Sequence, residues 1–148
     1  MILKIELENF KSYYGKKVIG PLHKNLTAVV GPNGSGKSNL IESLLFVFGK
    51  NAKKMRFNKL SELIHKSAAH PDCANASVRV FFTEILDLES DPDAYTEIAG
   101  TQFTVSRVVY RNASSKYFIN DTQEDMKDVV DMLKQKGIDL DHNRFLIL

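Results

Sequence analysis

Gly31-Pro32-Asn33-Gly34-Ser35-Gly36-Lys37-Ser38 spells a complete G-x-x-x-x-G-K-[ST] phosphate-binding loop. A short β-favouring apolar run, Leu26-Thr27-Ala28-Val29-Val30, precedes it, and a helical stretch from Lys37 to Phe48 follows. Strand, loop and helix in that order give the pattern its mechanism. Glycines let the backbone curl until several N–H groups point inward at a β-phosphate. Lys37 brings a point charge to the β- and γ-phosphates, and the Ser38 hydroxyl suits a Mg²⁺ ion. The positive end of the helix dipole lies under the same phosphates. The stretch reads as a nucleoside triphosphate site.

The chain has 148 residues, enough for one domain or one large lobe with a hydrophobic core. No apolar run approaches the ~18 residues of a membrane span and no signal-peptide pattern opens the chain, so the expectation is a soluble intracellular protein without a membrane partner. The lone cysteine, Cys73, excludes a disulfide framework and a thiolate metal site. His23, His65, His70 and His142 lack ligand spacing. The net charge of +2 hides an asymmetry: residues 1–66 hold 12 Lys/Arg and 4 Asp/Glu, whereas residues 67–148 hold 8 and 14. A basic half can attract the phosphates of a nucleotide or of DNA, and a solvated lysine-rich surface gives the same composition.

Working outward, Ile2 to Glu8 alternates apolar and polar and predicts a half-buried strand, with a second strand from Lys16 to Ile19 after a Tyr14-Gly15 turn. Leu26 to Val30 makes a third. The helix after the loop carries Leu40, Ile41, Leu44, Leu45, Phe46, Val47 and Phe48, apolar nearly all round, and so belongs in a core, with Gly49 as its stop. Phe46 and Phe48 therefore read as packing, not as a base-stacking platform. A basic loop runs from Lys50 to Lys59, and Leu60, Leu63 and Ile64 mark a short amphipathic helix. Ser77 to Ile85 and Gln102 to Arg111 form a predicted hairpin around an acidic, mobile tip from Asp87 to Gly100. Tyr117 to Ile119 adds a strand. Asp121 with Glu124 predicts a capping box for a helix with Met126, Val129, Val130 and Leu133 on one face, ended by Gly137. Phe145 to Leu148 is a final apolar strand. Strands of antiparallel pattern flank the loop on both sides. The fold class is thus α/β, a P-loop NTPase of the ABC-ATPase type: a mixed sheet under the loop helix and an antiparallel β subdomain.

These residues resemble the structural maintenance of chromosomes (SMC) ATPases, and the resemblance covers residues 1–148 as the N-terminal lobe of the SMC head. Glu8-Asn9-Phe10-Lys11-Ser12-Tyr13 looks like the family motif that lies against nucleotide, which implies Lys11 and Ser12 as contacts. Gly31 to Asn39 matches the SMC loop at every position, so Asn33, Gly34, Ser35, Gly36, Lys37, Ser38 and Asn39 are implied to hold ATP, with Ser38 on Mg²⁺. Phe46 to Gly49, Arg56 and Leu60 to Ile64 resemble the stretch with the family's regulatory arginine, here Arg56. Gly137 to Leu148, with His65, is most similar to the larger SMC subunit of eukaryotic condensin, the fourth paralogue; a cohesin-type SMC or a double-strand-break repair coiled-coil ATPase is the alternative.

The resemblance implies a fragment. The glutamine after Leu148, the Ser-Gly-Gly signature, a second acidic Mg²⁺ ligand and the water-activating glutamate are not in this chain; in the family these last three lie in a C-terminal lobe beyond a coiled coil and hinge. Implied partners are that lobe, a second SMC head, kleisin-type and other condensin subunits, and DNA bound without sequence preference. The implied location is the nucleus and chromosomes with a cytoplasmic pool. A free-standing nucleotide enzyme fits less well. Asn58-Lys59-Leu60-Ser61 lacks the aspartate of a base-reading switch motif, and Arg107 and Arg111 lie in a β run instead of an arginine-rich lid.

Overall fold

The computed structural model describes residues 1–49 and 59–140. Its frame is a six-stranded antiparallel sheet in the order β2-β1-β3-β6-β7-β8. The strands are β1 (Ile2–Phe10), β2 (Tyr13–Ile19), β3 (Asn75–Phe82), β6 (Phe103–Tyr110), β7 (Ser115–Ile119) and β8 (Thr122–Glu124). Between β3 and β6 the chain makes β4 (Ile85–Asp87) and β5 (Tyr95–Glu97), paired as a separate small sheet. Helix α1 (Lys37–Val47) packs on β1, β3 and β6, and α2 (Met126–Gln135) packs on β7. A 3₁₀ turn at Leu60–Leu63 contacts β6.

Alternation explains the inner face. In β3 the buried residues are Ala76, Val78, Val80 and Phe82, every second position. The register aligns Ile5 with Val80, Val105 and Ile119 in one row, and Leu7 with Val78, Arg107 and Tyr117 in the next. Phe82 stands directly across from Phe103, and their rings stack with centroids 4.8 Å apart. Phe46, Val47 and Phe48 are at most 2% exposed against this face, so the apolar end of α1 is core, as its composition predicts.

The inner face also carries a charged residue deep in the sheet. Arg107 lies in the row between Val78 and Tyr117 and under the C-terminal turn of α1. Its guanidinium sits 4.6 Å from the ring centres of both Phe46 and Tyr117. It donates from Nη1 to Phe46 O at 2.9 Å and from Nε and Nη2 to Ser115 Oγ at 3.1 and 2.9 Å. The last turn of α1 carries no basic residue of its own. Arg107 therefore supplies the positive charge that complements the helix C-terminus. Burial lowers its pKa and Tyr117 opposes that fall; burial raises the Tyr117 pKa and Arg107 opposes that rise.

Four expectations are corrected. The β1–β2 turn lies at Lys11–Ser12, with Phe10 paired to Tyr13, because a bulge at Asn9 (φ 48°) lets its Oδ1 accept from Gly15 N–H at 2.8 Å and keeps Gly15 inside β2. Leu26–Val30 forms no strand among the described residues. A β-favouring run needs a neighbour to complete its ladder, and here Leu26 and Val30 are 70% and 86% exposed. Every pairing among the described strands is consequently antiparallel. The acidic span is exposed but ordered into β4–β5, pinned by the nearly buried Lys24, whose Nζ meets Asp87 Oδ1 at 2.8 Å and Ala94 O at 3.3 Å. Asp121 caps no helix. With Asn120 it forms a left-handed two-residue hairpin turn (φ 47° and 65°) joining β7 to β8, and Asp125 precedes α2 instead. Phe145 to Leu148 lies outside the described residues.

Replacing Arg107 with Ala is expected to cost about 2–4 kcal/mol, because it removes charged hydrogen bonds, two ring contacts and buried volume together. Arg111, whose bridge to Asp72 at 3.3 Å is largely exposed, is the contrast, with an expected cost below ~1 kcal/mol. Urea unfolding of both variants measures the difference.

Candidate nucleotide-binding site

The loop before α1 is shaped by its glycines at two places. Gly36, directly before the helix, has φ 98°, and Gly34 has φ 80°, both in the left-handed region. At Gly31 a Cβ would lie 2.7 Å from Ser35 Oγ, a hydroxyl that would have to rotate aside. The curled loop and the first turn of α1 enclose a shallow cavity of about 210 Å³, lined by Pro32, Asn33, Gly34, Gly36, Lys37, Ser38 and Asn39. The first turn of α1 contains no acidic residue, so nothing there opposes an anion at the positive end of the dipole. Lys37 Nζ donates to the loop's own carbonyls, Gly31 O and, at 3.2 Å, Pro32 O. Ser38 is exposed beside it. An apolar helix opening on an acid-free cradle with a lysine and a serine hydroxyl is a donor set that fits a triphosphate with its Mg²⁺.

A second element grips this cradle. The Lys11–Ser12 turn reaches α1 through three side chains. Tyr13 Oη donates to Gly36 O at 3.1 Å, Asn39 Nδ2 donates to Ser12 Oγ at 2.7 Å, and Lys11 Nζ pairs with Glu42, which is 6% exposed. Lys11 and Ser12 thus lie beside the phosphate loop, and Asn39 joins the two elements. Arg56, with Lys50, Lys53 and Lys54, lies outside the described residues.

Sequence reasoning passed over the Tyr13 hydroxyl, Glu42 and Arg107. Glu42 had a signal, since it is the lone acid in an apolar helix and a buried carboxylate requires a cation. Arg107 had one too, because register places it on the inner face. Among the described residues no cluster of His, Cys, Asp and Glu could hold a metal by itself, and no helix is long and apolar enough to cross a membrane.

Gly36→Ala should destabilise the chain by about 1–2 kcal/mol, since φ 98° strains any side chain and the new Cβ would lie 2.8 Å from Tyr13 Oη. Removing the hydroxyl by Tyr13→Phe should not restore stability, because it opens space without changing φ. Thermal melts of the single and double variants separate the two causes.

The family model described as RecF/RecN/SMC N terminal domain matches residues 1–142. Over the whole chain the sequence is 51% identical to "Structural maintenance of chromosomes protein 4" of Mus musculus, and over 99% of it 51% identical to the protein of that name from Saccharomyces cerevisiae. It spans only 11% and 10% of those proteins. A solved structure from work on ATP-driven dimerization and DNA stimulated activation of SMC ATPases superposes with a TM-score of 0.81 at 35% identity, covering 99% of this chain and 86% of that one. The Smc head domain of Pyrococcus furiosus, bound to the C-terminal domain of ScpA, gives 0.77 at 37% identity over 93% of this chain and 33% of its own. With the phosphate loop, the gripping turn and the antiparallel sheet in place, the chain belongs to the RecF/RecN/SMC N terminal domain family and has the P-loop fold of the SMC ATPase heads.

Proposed function

We propose that this chain is the ATP-binding half of the head of a condensin-type SMC ATPase, which uses ATP to engage two heads and so drives DNA compaction and chromosome segregation. The observation that carries the reading is the acid-free phosphate cradle gripped from the Lys11–Tyr13 turn, in a chain 51% identical throughout to an SMC relative of the fourth type. Asn33 to Asn39 would hold the phosphates, Lys37 would neutralise the β- and γ-charges, and Ser38 would bind Mg²⁺. Mg-ATP supplies the scissile phosphoryl bond. The residues here bind and orient, and groups that activate water would have to come from elsewhere, because phosphoryl transfer depends on positioning and charge from all sides.

The partner readings draw on apolar surface among the described residues and on the relatives. The apolar Leu26–Val29 run borders a cavity of about 1360 Å³ that Ile5, Ile19, Leu22, Phe82 and Phe103 also line. This surface suits the C-terminal lobe of the same protein. The head of P. furiosus bound to ScpA supports a kleisin-type partner, and a second SMC head would complete the nucleotide site. Sequence-independent DNA binding by the basic residues 50–59, a regulatory role for Arg56, and residence in nucleus and chromosomes with a cytoplasmic pool belong to the same proposal.

The 148-residue chain alone is expected to bind Mg-ATP weakly and not to turn it over, with activity appearing once the C-terminal lobe and a partner head are added. Lys37→Ala in the assembled protein should abolish ATP binding. Turnover by the pure chain that disappears on Lys37→Ala would show a complete site and contradict this division. Arg56→Ala in a full head pair should keep basal hydrolysis and lose most of the stimulation by duplex DNA, whereas Lys53→Ala and Lys54→Ala should weaken DNA binding modestly and lessen its salt dependence. ATPase rates with and without DNA at fixed salt decide it; equal stimulation in wild type and Arg56→Ala would leave Arg56 an ordinary surface charge.

A further inference from the structure

The segment Leu63–His65 runs antiparallel to Asn9–Lys11 around an isolated bridge between Phe10 and Ile64. Two main-chain bonds hold it: Lys11 N–H donates to Leu63 O at 2.7 Å, and His65 N–H donates to Asn9 O at 2.7 Å. The His65 ring adds a third, with Nδ1 2.6 Å from Lys11 O. A carbonyl only accepts, so Nδ1 carries the hydrogen. On the far side of the ring, Nε2 faces Ser67 Oγ at 3.1 Å, and that oxygen accepts from His70 N–H at 3.2 Å. In the neutral ring, Nδ1–H leaves Nε2 an acceptor to which the Ser67 hydroxyl can donate. His65 is 8% exposed, with the Tyr14 ring 5.5 Å away and His70 stacked on Tyr14 at 3.5 Å.

Main-chain pairing would secure this segment without the ring. What the imidazole adds is aimed at a single peptide group, the one joining Lys11 to Ser12. Lys11 has φ 48°, a conformation that residues other than glycine seldom hold. In a trans peptide the C=O and the following N–H point in opposite directions. Holding the Lys11 carbonyl toward His65 therefore turns the N–H of Ser12 the other way and fixes the peptide plane. From that turn, Ser12 Oγ accepts from Asn39 and Lys11 pairs with Glu42, both on α1 just past the phosphate loop.

We propose that His65 is a positioning residue for nucleotide binding: it fixes the Lys11–Ser12 peptide from behind, so that these two side chains meet the phosphate loop in one geometry. The proposal rests on the reading of that loop as a nucleotide site. Its action is through Lys11 and Ser12, and the ring makes no contact with the loop's Gly31–Ser38 stretch in the bonds described.

The test measures the Kd for ATPγS with Mg²⁺ in the full-length protein carrying His65→Ala, His65→Asn, Lys11→Ala, Lys11→Ala with His65→Ala, or Lys37→Ala. The amide nitrogen of Asn sits near the Nδ1 position and can donate the same bond. His65→Ala is expected to weaken binding about five- to tenfold, on the scale of one lost hydrogen bond, and His65→Asn to remain within about twofold of wild type. The double variant should lose less than the product of the two single losses, because both act on one turn. If His65→Ala does not fold, His65→Gln, whose amide reaches the Nε2 position instead, takes its place in the cycle. Wild-type affinity in His65→Ala, equal loss in the Asn and Ala variants, or losses that multiply would overturn the proposal. Lys37→Ala separates the two readings: if it alone abolishes binding the nucleotide site stands, and if it changes nothing both fall.

Discussion

Helix α1 is fixed at both ends by groups from the sheet, and the site depends on that double hold. At its C-terminus the Arg107 guanidinium, between the Phe46 and Tyr117 rings, bonds the Phe46 carbonyl. At its N-terminus Tyr13, Ser12 and Lys11 bond Gly36, Asn39 and Glu42. Between the ends, Phe46, Val47 and Phe48 are buried against β1, β3 and β6. A helix so constrained cannot tilt without breaking bonds at one end, so its N-terminal N–H groups keep one direction. A phosphate cradle made of backbone requires that, because backbone N–H groups cannot change rotamer to find a ligand.

The β1–β2 hairpin links sheet to site. Glu8 ends the regular alternation of β1, Asn9 forms the bulge, and Lys11 takes a left-handed turn. These irregularities turn the hairpin tip toward α1. On the other side of the same tip, Leu63–His65 is bonded to the main chain of Asn9 and Lys11. The tip thus lies between the phosphate loop and the segment that follows the basic residues 50–59.

Much of this was legible from residue patterns. Alternation in Ile2–Glu8 located β1, since a sheet with one buried face repeats every second residue, and the β-rich run Ser77–Ile85 located β3 while overshooting its end at Phe82. The apolar run of α1 announced its burial, and the G-x-x-x-x-G-K-[ST] pattern located the cradle. Readings went astray where local chemistry had a non-local competitor. Asp121 and Glu124 match a capping box, but the tight β7–β8 hairpin took Asn120 and Asp121 for its turn, and Arg79 took the Asp121 carboxylate at 2.6 Å. Leu26–Val30 has strand composition and no ladder among the described residues, because pairing is a property of two segments. The grip of Tyr13 and the bond of the His65 ring to Lys11 were not legible, since they join residues 23 and 54 positions apart.

The central claim is that the phosphate loop and the Lys11–Tyr13 turn act on nucleotide as one unit. Hydrogen exchange of the full-length protein with and without Mg-ATPγS tests it most directly, read at the amides of Gly31–Asn39 and of Lys11–Tyr13. The account predicts that both stretches gain protection together, and that Lys37→Ala removes the gain from both. Protection confined to the loop, with the turn exchanging at its nucleotide-free rate, would contradict it.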